Sequence, residues 1–194
     1  MSQKKKNMSS RREFIVGSSL TAVGLSSFSQ GKAMTVSSNA LNLAENKREE
    51  LISLLSDLIT IRSQTGESAE EAQLLVNSYL NDLPYRIEKS LDRPSLYQNH
   101  PEYMPPNPPS DGPFVNIVGW PKNNMSKTSA IFSHIDTHIE EAGWETDPYK
   151  PIIKKNRMYG LGTSDDKGGV AAMLIAAKIL SENDKPLPVV MSLH

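Results

Sequence analysis

Between Gly168 and Leu180 the chain is apolar on nearly every side, with Lys178 the main interruption. A helix of that composition has no face to offer water, so it must lie buried, usually against a sheet. Candidate strands stand on either side of it. FVNIVG from Phe114, SAIFSHI from Ser129 and the stretch from Pro188 to Leu193 have the length and residue types of inner strands. Upstream, Asn46 and Glu49 can form a capping box, and Leu51, Leu54, Leu55, Leu58 and Ile59 follow at helical spacing. Ser68 and Glu71 offer a second box ahead of Ala72, Leu75, Val76, Tyr79, Leu80 and Leu83, and Pro84 ends that helix. The chain from Tyr85 to Leu91 can be extended. Helices first, then strands alternating with a buried helix, predict an α/β fold, a layered sheet with flanking helices. Between Pro94 and Pro113 seven prolines remove so many N–H donors that no regular element is expected.

The first forty residues read differently. Lys4-Lys5-Lys6 and the string SRREFI precede the mildly apolar run VGSSLTAVGLSSF, which is too short and too weak to span a bilayer. Basic start, apolar run and small residues near a cleavage point are the parts of a secretory signal. SRREFI resembles the twin-arginine signal, read by the export machinery of that name. Residues 1–40 are therefore expected to be a twin-arginine-type signal peptide, cut after Ala33 or Ala40, that sends the protein to the periplasm. Residues 41–194 are expected to form the folded part, with no stable membrane anchor.

Charge and cysteine content narrow the function classes. With 21 Lys+Arg against 22 Asp+Glu, and no basic cluster on the folded part, nothing draws a nucleic-acid partner. Cysteine is absent, so disulfides and thiolate metal sites are excluded, and any metal must be held by His, Asp and Glu.

Two clusters carry the chemistry. In Ser133-His134-Ile135-Asp136-Thr137, at the end of an apolar strand, positions i and i+2 point to one face, so His134 and Asp136 can share a site. A ligating imidazole needs its second ring nitrogen held by an acceptor, and Asp136 is placed to hold it. Alone, such a pair is as readily structural. The second cluster runs from Tyr159 through Asp165, Asp166 and Lys167 to Gly169, a glycine-rich turn opening into the buried helix. Carboxylates there sit where α/β sheets place ligands, and one carboxylate can bridge two divalent ions. A phosphate-binding loop would need Ser or Thr after Lys167, where the chain has Gly168. A tight turn with two solvated Asp is the remaining alternative.

Together the clusters say more. His134-Ile135-Asp136-Thr137, Trp144, Asp147-Pro148-Tyr149, Tyr159-Gly160 and Ser164-Asp165 follow in the order and spacing of a known pattern. From about Leu51 onward the chain resembles the zinc metallopeptidase and amidohydrolase family of acetylornithine deacetylase, succinyl-diaminopimelate desuccinylase, aminoacylase and glutamate carboxypeptidase. The resemblance implies the N-terminal part of a zinc-dependent exopeptidase-like catalytic domain. It implies His134 as a zinc ligand, Asp136 as the catalytic-site Asp that clamps its ring, and Asp165 as the carboxylate bridging two zinc ions. Cobalt or manganese are the alternatives to zinc. A cis peptide after Asp165 is expected as well, and Lys167 to Gly169 are expected only to shape the turn. Leu161, Asp166 and His138 depart from the family's usual Arg, Met or Asn, and Val; neither His138 nor His100 is assigned a role.

The implied reaction is hydrolysis of an amide bond in an N-acyl amino acid or small peptide, with a homodimer as one option for a complete chain. In the family a Glu-Glu pair holding the general base follows the strand that here runs to His194, and further ligands and a lid domain lie beyond it. The chain as given is therefore expected to be incomplete and inactive, its last strand 189–193 presenting a bare apolar face or edge. The alternative is a non-catalytic exported binding module that keeps the fold.

Overall fold

The computed structural model describes residues 38–64, 66–105, 109, 111–122 and 129–194. The signal-peptide reading of residues 1–40 falls almost wholly outside them. Four helices, α1 (Ser38–Asn46), α2 (Arg48–Thr60), α3 (Gly66–Asn81) and α4 (Lys167–Glu182), accompany six strands. These are β1 (Tyr85–Asp92), β2 (Phe114–Pro121), β3 (Ala130–His134), β4 (Ile152–Lys154), β5 (Arg157–Tyr159) and β6 (Val189–Leu193).

The main sheet has the order β1-β2-β6-β3, with β6 antiparallel to β2 and parallel to β3. Alternation in β2 buries Val115, Ile117, Gly119 and Pro121, and leaves Phe114, Asn116, Val118 and Trp120 half-buried. The buried face meets α3 and α4, and the core joins Val115, Ile117 and Val190 to Val76 and Leu80 of α3 and Val170 and Leu174 of α4. Leu54 and Leu58 of α2 close the core from the far side of α4. A mixed sheet with packed helices is the α/β arrangement that the apolar 168–180 segment requires.

Several local expectations change. Asn46 closes α1 instead of capping α2; α2 begins at Arg48 behind Lys47, which makes no side-chain cap. The helix from Ser68 starts at Gly66. The proline-rich stretch holds one short 3-10 turn, Pro94–Leu96, whose proline sits at the first position, where an N–H is not needed. The hairpin β4–β5 was not anticipated; its turn residues Lys155 and Asn156 both have positive φ, as a two-residue hairpin turn demands. Strand 189–193 does not offer a bare edge, because β2 and β3 pair with it on both sides. Its outward Met191 and Leu193 are half-buried, and exposed apolar side chains of this sheet lie instead on its outer strands, Phe132 on β3 and Leu91 on β1.

Candidate functional site

The site forms where β3 ends and the turn before α4 begins. His134 is the last residue of β3, and the extended backbone continues past it: Ile135, fully buried, donates its N–H to Leu193 O. The alternation therefore persists, and Asp136 returns to the side of His134. Its Oδ1 lies 3.1 Å from His134 Nδ1, while Asp165 Oδ1 lies 2.9 Å from Nε2. One imidazole is thus held between two carboxylates. Partial burial works against a charged ring, but Asp136 and Asp165 outweigh it and hold the His134 pKa above the ordinary histidine value.

Asp165 and Asp166 are neighbours joined by a cis peptide and have opposite surroundings. The Asp165 side chain is 87% exposed, with His134 beside it. Asp166 is the N-cap of α4: its Oδ1 accepts from Gly169 N at 3.2 Å, and its Oδ2 accepts from Ser133 Oγ. A Cβ on Gly169 would stand 2.3 Å from that Oδ1, so the cap itself requires glycine there. Ser133 points into the core one residue before His134 points out.

All three residues fall within 130–193, and those residues match the model of peptidase family M20/M25/M40. The chain is also 31% identical over 151 residues to N-formyl-4-amino-5-aminomethyl-2-methylpyrimidine deformylase of Bacillus subtilis, covering 74% of this chain and 31% of that one. A succinyl-diaminopimelate desuccinylase of Helicobacter pylori is 44% identical over 57 residues, 29% of this chain and 15% of its own. The chain belongs to peptidase family M20/M25/M40. Solved structures share its fold. Human carnosine dipeptidase 1 superposes with a TM-score of 0.61 at 18% identity, covering 78% of this chain and 32% of that one. An M20 family metallo-carboxypeptidase from Sulfolobus solfataricus gives 0.54 at 21%, covering 74% and 30%. The chain spans about a third of the length of the first two curated relatives it matches.

Members of the M20 family are typically metal-dependent, and the donors here suit part of such a site. With Nδ1 turned to Asp136, the other nitrogen of His134 faces Asp165, the arrangement in which a carboxylate fixes the tautomer of a ligating imidazole. Among the described residues no group of three or more His, Cys, Asp or Glu gathers as a metal cage. His138 lies against Ile139 O, and His100 is exposed in the proline-rich stretch.

The M20 motif residues hold one another together. Tyr149 N donates to Asp147 Oδ1, and Leu161 N donates to Pro148 O, tying the Asp-Pro-Tyr segment to the glycine-rich turn. Tyr149 OH and Gln64 Nε2 both donate to Glu140, and Arg62 lies 3.3 Å from it and stacks on the Tyr149 ring. Those donors pull the Glu140 carboxyl down to about 2. A cavity of about 360 Å³ lined by Thr137, Trp144, Tyr159 and Asp165 opens beside His138.

Sequence reasoning missed Lys167. Its side chain is fully buried, and its Nζ donates to Leu58 O at 2.8 Å and Ile61 O at 2.6 Å. Burial pushes its ammonium down to about 8. The signal was available: a lysine opening a helix whose other main polar interruption is Lys178, three turns on.

Proposed function

We propose that this protein is a zinc-dependent hydrolase that cleaves the amide bond of an N-acyl amino acid or small peptide. The observation that carries the reading is the imidazole held between two carboxylates, inside the segment that matches the M20 family model. In this reading His134 is a ligand of one zinc ion and Asp165 is the carboxylate shared between two, with cobalt or manganese able to replace zinc. Asp136 holds the ring. It accepts the proton of Nδ1, so that the Nε2 lone pair faces outward. A divalent ion in such a site supplies Lewis acidity, polarising the amide carbonyl and acidifying water. Amides are also what the named relatives' formyl and succinyl groups share.

His134 must lose its proton to act as a ligand, and its neighbours favour the protonated form. Metal uptake should therefore strengthen as pH rises through the His134 pKa, with a proton released. We further propose that the 194-residue chain alone does not hydrolyse such amides. His134 and Asp165 are two protein donors where zinc sites take three or four, and among the described residues no larger group of His, Cys, Asp or Glu gathers to hold an ion; hydrolysis also needs a base to take the proton of water. Zinc titration by calorimetry tests the centre. His134→Ala and Asp165→Ala should each abolish uptake, and Asp136→Asn should weaken it about 10–100-fold. Equal uptake by all four proteins would end the reading.

Residues 1–40 are proposed as a twin-arginine-type signal peptide delivering the protein to the periplasm, and residues 41–194 as the catalytic portion. Cleavage after Ala33 would leave α1 whole. Cleavage after Ala40 would remove its first turn, at little cost because α1 buries no residue. Changing Arg11→Lys and Arg12→Lys together should trap the protein in the cytoplasm, scored by cell fractionation. Undiminished periplasmic delivery would point to the general secretory route.

A further inference from the structure

Three segments meet beneath the candidate site, and one side chain joins them. The first is the end of α2 and the residues after it, 58–63. Ser63 there donates its hydroxyl to Ile135 O at 2.8 Å and accepts from Thr137 N at 3.0 Å, so this segment is stitched to the one carrying His134 and Asp136. The second contact is between that strand extension and the glycine-rich turn. Gly162, at φ +76°, packs so closely that a Cβ would stand 2.5 Å from Thr137 Cγ2 and 3.2 Å from Lys167 Cδ. The third contact is Lys167 itself, whose Nζ reaches the carbonyls of Leu58 and Ile61 while its backbone N–H donates to Gly162 O at 3.0 Å.

We propose that Lys167 is a positioning residue: through the carbonyls of Leu58 and Ile61 it locks the turn that carries Asp165 against the segment that carries His134 and Asp136. The chemistry explains why the position is a lysine. The carbonyls of Leu58, in the last turn of α2, and of Ile61, its C-cap, lie where the helix itself supplies no partner, and buried carbonyls must find one. A cation is the donor best matched to a helix C-terminus. An apolar side chain would fill the same volume and leave both carbonyls bare. The four-carbon stem spans the distance from α4 to α2, so the contact crosses between elements instead of satisfying its own. Leucine or methionine there would pack α4 but would not fix where the turn stands relative to His134.

The functional meaning rests on the metal-centre reading above; the geometry does not. The test compares the wild-type chain, Lys167→Met, Lys167→Gln and a control, Leu174→Ala, which opens a cavity in the same helix away from the turn. All are measured at a temperature where each is folded, by amide hydrogen exchange and by cobalt(II) titration followed in visible absorption. Lys167→Met should raise exchange about tenfold at both 135–137 and 160–166. It should weaken cobalt uptake about tenfold or more. Lys167→Gln, which keeps a neutral donor of shorter reach, should fall between Met and wild type, and also serves if Met does not fold. Leu174→Ala should lower the unfolding midpoint while leaving both readouts near wild type. Wild-type exchange at the two segments in a destabilised Lys167 variant would overturn the proposal. If the wild-type chain takes up no cobalt, the metal-centre reading fails, and the exchange pattern alone still decides the role of Lys167.

Discussion

Two loops reach the candidate site, and they are held in opposite ways. The turn 160–166 is fastened from below by buried and half-buried groups: Asp166 caps α4 and takes the Ser133 hydroxyl, and Lys167 is tied to α2. The loop that follows Asp136 is fastened from outside, where Glu140 gathers Gln64, Tyr149 and Arg62 at the surface. Both fastenings use a carboxylate with several donors. They differ in solvent exposure, and exposure decides what a hydrogen bond is worth. A buried polar group that loses its partner bears the whole desolvation penalty, whereas an exposed one turns to water. The turn with Asp165 is thus held more firmly than the loop with His138 and Trp144.

The comparison breaks if the two carboxylates respond alike to removal. Asp166→Ala should have the largest effect, because it deletes a helix cap and leaves the Ser133 hydroxyl only the Asp166 backbone carbonyl at 3.2 Å. Chemical denaturation should show a loss of about 2 kcal/mol. Glu140→Gln should leave the denaturation midpoint within error and raise amide exchange only across 138–149. The smallest effect should come from acid. The Glu140 pKa lies near 2 in the fold against an ordinary 4.5, so its contribution is complete above the ordinary value and lost as pH falls through about 2. The exchange protection of 138–149 should therefore hold steady above about pH 5 and fall progressively from there to about pH 2, where Glu140 is protonated in both states. Protection that does not change across that window would mean that the surface cluster does not hold Glu140.

Much of this was legible from the residues. The helix 168–180 demanded a sheet, and the His-x-Asp spacing placed His134 and Asp136 on one side even though β3 ends at His134, because Ile135 continues the pairing. Asp165 was legible through its place in a motif. The hairpin β4–β5 was not, since three-residue strands give no periodicity to read. Nor was the start of α2: Asn46 has a capping side chain, but the preceding residues are themselves helical and absorb it. Lys167 escaped because periodicity sorts residues by polarity, and a lysine at a helix start reads as solvated. Only the tertiary position of α2 shows that its amine has carbonyls to meet. Gln64 and Glu140 were hidden likewise, 76 residues apart and joined only by the fold.

The parallel pairing of β3 with β6 sets a timetable for assembly. Parallel neighbours cannot be linked by a tight turn; here α4 must cross before the pairing closes. Contacts between distant positions form slowly because chain entropy is lost before they give anything back. His134 stands at the start of that crossover and Asp165 inside it, just before α4, 31 residues on. Residues 189–193 take part in fixing their separation, since Leu193 O receives the N–H of Ile135 just past His134. During synthesis the imidazole and the carboxylate are therefore independent, weak donors for some time before they become one site. A cation that arrives early meets a flexible chain, and one that arrives late meets a template.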